Sequence, residues 1–470
     1  MHSSITAAYL TRYRSLASAA GTAGAPAVLL PLTGAQRRFL ITRHRDRDAR
    51  TDVVPLFFAF PRGTVDLDRL RRAALRLADR HPALRGAFTV LRGTPVLRLG
   101  EPSVEVALVP VDPADPAGPA GTVEAGTAEG DSAGAGLPDG PARAALLRAL
   151  LDWPTDGPVL RLLLAAGPQD EEELLAVALD HAACDEQSLG LVTEGLATAY
   201  AALGDEAVGD GASAAGTAGS ADEQAAAVEA YRAAVEGQLA AEAKAAGEAA
   251  HAHWATRLGT LADAPEEAAP TGSARSTGMA VDRLPAVTGA ARGGVFPALL
   301  DAVAAAAHRL DGGDRVLALG YPWGGRPADA APVLGCFLNT LVHPAPPGPP
   351  GDLDALGAAW WDDLDHADTP YDEVVRAARS AGASWSGALD GLLTFEDLHR
   401  RPPLLLGGVA GREVHLAGRP LAAPLAVSAS HGEDLLVRLA WDRERYSDAA
   451  AREAFAVLLA TLRHHLGTTV

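Results

Sequence analysis

The segment DHAACDEQS places a histidine, His181, between two acids, Asp180 and Asp185. The apolar run LLAVAL before it predicts a buried strand, so these three residues follow the end of that strand. Neutral imidazole is suited to proton transfer near neutral pH. The spacing alone leaves two interpretations open: His181 is a catalytic base or a partly buried loop residue, and Asp185 takes part in chemistry or only caps the helix that follows.

The composition argues for a globular protein that does not bind nucleic acid. The chain has 470 residues, 48% of them hydrophobic, and a formal net charge of -19. Nucleic-acid binding gains much of its affinity from neutralising phosphates, which a strongly acidic chain does poorly. The two cysteines, Cys184 and Cys336, form no zinc or redox motif, and no metal is expected. The sequence shows no signal peptide and no run of 18 apolar residues, so we expect a cytoplasmic protein without a membrane span.

The chain is longer than a single core usually grows, which predicts two domains or lobes. Two stretches rich in Gly, Ala and Asp predict a flexible insertion and a linker. In both halves strands alternate with helices, which is typical of α/β folds. The predicted units are an N-terminal tail at 1–26, a first lobe at 27–204 with an insertion at about 112–141, a linker at 205–223 and a second lobe at 224–470.

Two helices can be predicted in more detail. The segment DLDRLRRAALRLADR carries apolar residues at helical spacing, with Asp66 as its N-cap. The Ala-rich segment at 229–258 lacks a wide apolar stripe. This pattern predicts one long helix that lies across a surface as a connector.

Several stretches, taken together and in order, resemble condensation domains of nonribosomal peptide synthetases. DHAACDEQS resembles the family's HHxxxDG signature: His181 matches the second His and Asp185 the Asp. Asp180 and Glu186 replace the first His and the Gly. LPLTGAQRRFL resembles the opening segment, GYPWGGRP the GxPxxGRP strand end, and VLGCFLNTLV the VGxFxNTLV segment. The likeness extends over residues 27–466.

The resemblance implies an α/β fold of two chloramphenicol-acetyltransferase-like lobes, a V-shaped pseudo-dimer with an active-site tunnel between them. Acyl donor and acceptor would enter from opposite faces, each usually held as a thioester on the phosphopantetheine arm of a carrier protein. The motif would lie at the middle of the tunnel, with His181 as general base or as the residue that positions the amine. Asp185 would be structural and pair with an arginine of the other lobe, for which Arg326 of GGRP is the candidate.

The remaining motif positions have expected roles and open alternatives. Asp180 is expected to fix the turn by accepting hydrogen bonds from backbone N–H groups or from an arginine, and Asn339 to support the contact between the lobes. Asp180, Asp185 and Ser188 also fit the D-x4-D-x2-S pattern of heterocyclisation domains, which lack the histidine that this chain keeps. Glu186 could narrow the tunnel, add a charge near the amine or mark a loss of activity.

The resemblance therefore predicts a free-standing condensation enzyme, an acyltransferase that joins an acyl thioester to an amine or hydroxyl acceptor in natural-product biosynthesis. It implies no cofactor of the enzyme's own, because carrier proteins in trans, or CoA, would deliver the substrates. A small-molecule acceptor is compatible with this interpretation. Two alternatives stay open: heterocyclisation through Asp180 and Asp185, and a catalytically silent domain that recruits a partner protein.

Overall fold

The computed structural model describes residues 4–21, 28–45, 51–112, 140–154, 157–167, 170–208, 220–264, 277–324, 326, 332–397 and 402–467. Nearly all of the predicted insertion at 112–141 lies outside these residues, as does the centre of the predicted linker at 205–223. The described residues form a mixed α/β fold, as predicted.

The helices of the described residues are, in chain order, α1 (Ile5–Gly21), α2 (Gly34–Arg45), α3 (Leu67–Arg80), α4 (Pro82–Arg85), α5 (Pro141–Leu151), α6 (Glu186–Val208), α7 (Ala221–Ala245), α8 (Glu248–Leu258), α9 (Val295–Asp311), α10 (Leu353–Leu364), α11 (Tyr371–Ser380) and α12 (Asp448–Leu466). Short 3-10 turns are formed by His181–Ala183 and Gly289–Gly294.

The strands of the described residues are β1 (Leu29–Leu30), β2 (Val53–Pro61), β3 (Gly86–Leu91), β4 (Thr94–Leu99), β5 (Val104–Leu108), β6 (Leu160–Ala165), β7 (Glu172–Asp180), β8 (Thr277–Pro285), β9 (Leu317–Gly324), β10 (Leu338–Ala345), β11 (Gly391–Asp397), β12 (Leu405–Leu406), β13 (Val409–Ala410), β14 (Arg412–Val414), β15 (Leu425–His431) and β16 (Asp434–Asp442).

Two large sheets organise these elements. The first sheet has the strand order β14-β2-β7-β6-β5, and the second has the order β10-β9-β11-β15-β16-β8. Strand β14 comes from the second half of the chain but pairs antiparallel with β2, with Val414 opposite Phe57. The second half therefore supplies an edge strand to the first sheet, so the two halves are joined through backbone hydrogen bonds.

Each sheet has its own apolar core. Strand β7 is central in the first sheet and is buried on both faces from Glu173 to Asp180, which explains its nearly unbroken apolar sequence. One face packs on α3 and α6 and the other on α5. Representative members of the first core are Leu70, Leu77, Val177, Leu179 and Val192, and of the second core Leu299, Val303, Leu393, Val427 and Leu458.

Helix α3 forms as its sequence predicts. The Asp66 side chain accepts hydrogen bonds from the backbone N–H groups of Asp68 and Arg69, which confirms the predicted N-cap. Its inner stripe, which includes Leu70 and Leu77, is buried in the first core. The apolar spacing in the sequence and the burial of α3 therefore agree, and the helix packs its apolar stripe against the first sheet.

The Ala-rich region at 229–258 corrects the prediction of one connector helix. It forms α7 and α8, which are separated at Ala246–Gly247. In addition, α7 is not confined to a surface, because Tyr231, Val235 and Leu239 are buried in the first core. These three lie among Ala, Glu and Gln residues, so the buried stripe is too narrow to stand out in the sequence pattern.

Helix α1 lies within the predicted N-terminal tail and is packed against the first core. Tyr9 and Tyr13 are buried there. The Thr6 hydroxyl donates to Glu242 Oε2 of α7 at 3.0 Å, and a guanidinium nitrogen of Arg37 lies 3.4 Å from the same oxygen. Much of this segment is thus part of the folded body.

Within the described ranges, no helix is long and apolar enough to cross a membrane. The same residues contain no group of three or more His, Cys, Asp or Glu side chains that could hold a metal ion.

Candidate active site

His181 lies where β7 ends and begins the 3-10 turn His181–Ala183. Its backbone N–H donates to the Asp52 carbonyl at 2.8 Å, which holds the turn against the start of β2. Its ring Nδ1 lies 3.2 Å from the Cys184 carbonyl oxygen. Because a carbonyl oxygen only accepts, Nδ1 carries the proton and Nε2 of the neutral ring keeps its lone pair. The turn therefore presents His181 in the tautomer that a base requires.

The surroundings of His181 keep its ring neutral. Burial lowers the pKa of the imidazole, and the positive charge of Arg38 acts in the same direction, against opposing contributions from backbone hydrogen bonds and Asp180. The ring stacks on Phe39 of α2, with 4.2 Å between centroids and 20° between planes. This contact fixes the plane of the imidazole. His181 is thus an oriented, uncharged imidazole near neutral pH.

Asp180 has the structural contacts predicted for it. Its Oδ1 accepts from the Ala182 backbone N–H at 2.9 Å and so caps the 3-10 turn. Its Oδ2 lies 2.5 Å from a guanidinium nitrogen of Arg43, whose Nε lies 2.6 Å from Asp52 Oδ2. All three ionic side chains are buried. Asp180 therefore connects the turn, the start of β2 and helix α2.

Asp185 is both a helix cap and a partner of an arginine from the second half of the chain. Its Oδ1 accepts from the Ser188 backbone N–H at 2.9 Å at the start of α6. Arg326 donates to its two oxygens at 2.7, 2.9 and 3.2 Å. The Phe337 backbone N–H donates to Oδ2 at 3.0 Å. The predicted pairing of Asp185 with Arg326 is therefore present, and the same carboxylate also caps α6.

Ser188 and Arg326 complete a buried network around Asp185. The Ser188 hydroxyl lies 2.8 Å from Asp185 Oδ1 and 2.7 Å from the Gly335 carbonyl oxygen. Arg326 also donates to the Gly335 and Val333 carbonyl oxygens. Its guanidinium carbon lies 4.4 Å from the centroid of the Phe337 ring. The network thus joins the start of α6 to the segment before β10.

The other predicted site residues lie in different environments. Glu186 is exposed at the first position of α6, so it places a carboxylate at the positive end of the helix dipole. Asn339 lies in β10 and donates to the carbonyl oxygens of Ala367 and Thr369 at 2.8 and 2.6 Å. It thereby fixes the turn before α11. Cys184 is buried, and burial raises the pKa of its thiol, which disfavours a thiolate nucleophile.

Sequence reasoning missed the residues of α2 that contact the His181 turn. Gln36 is fully buried and donates to the Ala182 carbonyl oxygen at 2.8 Å. Arg38 reaches the second half of the chain, where it donates to Thr340 Oγ1 at 2.5 Å and lies 4.6 Å from the centroid of the Tyr371 ring. Both residues lie in LPLTGAQRRFL, a segment that supported the family resemblance but in which no residue was given a role. The polar run QRRF within a predicted helix was the sequence feature that could have pointed to them.

Solved structures similar to this fold include condensation domains. The starter condensation domain of rhizomide synthetase RzmA, solved as a double mutant in complex with C8-CoA and Leu-SNAC, has a TM-score of 0.64 at 16% identity, over 94% of this chain and 95% of that chain. The first condensation domain of the CDA synthetase has a TM-score of 0.60 at 18% identity, over 93% and 96%. The X-domain from teicoplanin biosynthesis has a TM-score of 0.62 at 17% identity, over 93% and 95%.

These similarities establish the fold. A scan of protein-family models gives no match, and a search of curated proteins gives none. The chain has the fold of the condensation domains of nonribosomal peptide synthetases, over almost its full length. The resemblance seen in the sequence is thereby confirmed at the level of the fold.

Proposed function

We propose that this protein is a condensation-type acyltransferase. An amine, or a hydroxyl, attacks the carbonyl carbon of an acyl thioester held on a carrier protein or on CoA, and an amide or ester is formed. His181 is the base, or the residue that positions the nucleophile. The protein supplies no cofactor of its own in this reaction, because a carrier protein or CoA delivers the acyl thioester.

The observation that carries this proposal is the state of His181. Its Nδ1 is held by the Cys184 carbonyl oxygen, and burial lowers the pKa of the ring. Nε2 is therefore available to accept a proton near neutral pH. The fold adds support, because a similar starter condensation domain was solved with C8-CoA and Leu-SNAC.

The proposed reaction moves one proton from nucleophile to leaving group. The amine nitrogen bonds to the thioester carbonyl carbon while its proton passes to Nε2 of His181. The tetrahedral intermediate then collapses, the C–S bond breaks, and the proton passes to the departing thiolate sulfur. Asp185 and Arg326 hold the start of α6 beside the segment before β10 and do not exchange protons with the substrate.

The contacts of Asp180 favour condensation over heterocyclisation. Both oxygens of its carboxylate are occupied, one by the Ala182 N–H and the other by Arg43. A carboxylate held in this way stabilises the turn. His181 is the group on this turn with a free lone pair suited to base catalysis.

The experiment that tests the proposal is product formation by the purified protein. Acyl thioesters of CoA, of N-acetylcysteamine and of carrier proteins are offered with amine and hydroxyl acceptors, and products are identified by mass spectrometry. His181→Ala should lower the rate about 10²- to 10⁴-fold, as expected for loss of a general base. His44→Ala is the matched control, since His44 is an exposed histidine of α2. A folded His181→Ala protein with the wild-type rate contradicts the proposed mechanism.

A further inference from the structure

The second sheet has one apolar face and one polar face. Leu393, Val427 and Leu439 point into the core formed with α9 and α12. Neighbouring residues on a strand point to opposite faces, so the alternate positions of β11, β15 and β16 form the other face of the sheet. That face carries the apolar residues Leu392, Ala426, Leu436 and Ala440 together with five polar residues. The polar residues are Thr394, Glu396, Ser428, Ser430 and Arg438. The polar face is turned away from the helices that cover the sheet.

The side chains of the polar face form a connected network. Arg438 donates to Ser430 Oγ at 2.8 Å and lies 2.5 Å from His415 Nε2. The Ser430 hydroxyl donates to Glu396 at 3.1 Å, and Glu396 lies 3.9 Å from Arg438. Ser430 and Arg438 are buried. Burial of so many polar groups costs stability relative to apolar residues, so the fold alone does not require them.

A cavity of about 140 Å³ lies between this polar face and the first sheet. Strands β2 and β14 contribute one wall, including Phe57 and Val414, and β8, β15 and β16 contribute the other, including Met279 and Ser428. A water takes up about 30 Å³ in the liquid, so the cavity has room for about five waters, or for one end of a small polar molecule.

Arg419 supplies a positive charge at this cavity without a direct partner. It lines the cavity as a solvent-exposed residue, and the described residues give it no hydrogen bond or ion pair, although the charge of Glu396 acts on it from nearby. Arg438, in contrast, already faces Glu396. Glu413 also lines the cavity, on the wall formed by β14, where it makes contacts of its own. An anionic group beside Arg419 would give this arginine a direct ionic partner, as Glu396 does for Arg438.

The cavity is close to the His181 turn. The Asp52 carbonyl accepts the His181 backbone N–H, and Pro55, three residues further along β2, lines the cavity. Three residues of strand span about 10 Å, so the cavity wall at Pro55 lies about 10 Å along β2 from the backbone that holds the His181 turn.

We propose that this cavity, defined by Arg419 and the polar face of the second sheet, binds a carboxylate that one of the substrates carries away from its reacting atom. The proposal rests on the proposed acyl transfer and adds the chemical class of the substrate. A guanidinium binds a carboxylate through two parallel N–H donors, which gives both affinity and orientation. The carboxylate belongs to the acyl donor or to the acceptor, and the two sources are separated by experiment.

Two pairs of probes test the proposal. The acceptor pair is 8-aminooctanoate and 8-aminooctanamide, and the donor pair is suberoyl and octanoyl thioesters of N-acetylcysteamine. Binding of each probe is measured by calorimetry, and product formation is measured separately by mass spectrometry. Each pair differs in the distal carboxylate, so a preference within one pair identifies the substrate that carries it.

The wild-type protein should bind the carboxylate member of one pair about ten- to hundredfold more tightly than its neutral partner, as expected for a charge-assisted hydrogen bond. Arg419→Met should abolish that preference, and Arg419→Lys should keep part of it. Arg412→Met is the matched control, because Arg412 is an exposed arginine of β14 that pairs with Glu172 instead of lining the cavity.

The outcomes separate this proposal from the proposed function. Absence of a carboxylate preference in both wild-type pairs, or a preference that persists in Arg419→Met, overturns the cavity assignment. Binding that depends on Arg419 without product from any thioester supports the cavity and overturns acyl transfer. Thermal unfolding of Arg419→Met should match that of the wild type, since Arg419 is solvent-exposed and makes no direct hydrogen bond or ion pair among the described residues.

Discussion

Asp185 and Arg326 are 141 positions apart in the chain, yet their side chains form a buried ion pair with three N–H···O contacts of 2.7 to 3.2 Å. Asp185 begins α6, which packs on the first sheet, and Arg326 follows β9 of the second sheet. The pair therefore fastens the residues next to His181 to the second half of the molecule. It makes the position of the turn depend on both halves.

Removal of either partner of this pair should destabilise the protein strongly. Asp185→Ala and Arg326→Ala each leave an uncompensated buried charge, so each should lower the free energy of unfolding by about 3–5 kcal/mol. The double variant should lose less than the sum of the two. Denaturant titration measures all three. Strictly additive losses would show that the two side chains are not coupled.

The exposed pair Arg309 and Glu453 is the matched control for this cycle. Its removal should change the free energy of unfolding by about 0–1 kcal/mol, because solvent screens exposed charges. A similar loss in both cycles would mean that burial does not decide the strength of the Asp185–Arg326 interaction.

The pH dependence of the rate should respond to Arg38. In the proposed mechanism His181 acts in its neutral form, and burial lowers the pKa of His181 below 6.5, so activity should be level near neutral pH and fall on the acid side. Arg38→Met removes a positive charge that lowers this pKa, so the acid limb of the kcat/KM profile should move to higher pH. Arg38→Lys keeps the charge and should leave the limb in place. An unchanged profile in both variants contradicts the electrostatic role of Arg38.

Substitution of Asp180 should affect stability more than chemistry. Asp180→Asn can still accept from the Ala182 N–H but loses the charge that faces Arg43, so it should retain amide formation at reduced stability. Asp180→Ala loses both contacts and should cost about 3–5 kcal/mol. Asp68→Asn, at an exposed aspartate of α3, is the control. A wild-type enzyme that forms a heterocycle, and an Asp180→Asn variant that releases the open-chain amide, would favour cyclisation instead.

His343 should make the protein sensitive to acid. It is buried in β10, and burial lowers the pKa of its imidazole to about 3. The unfolded chain binds a proton near pH 6.5, so the contribution of His343 to stability is complete above that pH and is lost as the pH falls toward 3. His343→Leu should therefore reduce the loss of stability between pH 6.5 and pH 3, as measured by denaturant titration. His44→Leu, at an exposed position, should leave that loss unchanged.

The local structure of the candidate site follows from the sequence. The apolar run before Asp180 predicts the buried strand β7, and the acid at Asp185 predicts the start of α6; both are present. The pairing of Asp185 with Arg326 was predicted from the resemblance, since no local pattern connects the two positions. The catalytic role of His181 is a prediction that the structure makes chemically reasonable through the Cys184 contact.

Other features depended on tertiary structure. Arg43 approaches Asp180 across 137 positions, and β14 crosses from the second half of the chain to pair with β2. The same holds for the narrow apolar stripe of α7, which can be recognised only because it packs in the first core. It also holds for the polar face of the second sheet, which lines a cavity only because the first sheet lies opposite. Local sequence determines hydrogen bonds within a helix, a turn or a cap, because those groups are a few residues apart. Which surfaces meet depends instead on the burial of whole faces of sheets and helices. The sequence by itself therefore determined the strand, turn and helix that carry His181. The tertiary structure decided which charged groups and which cavity lie near them.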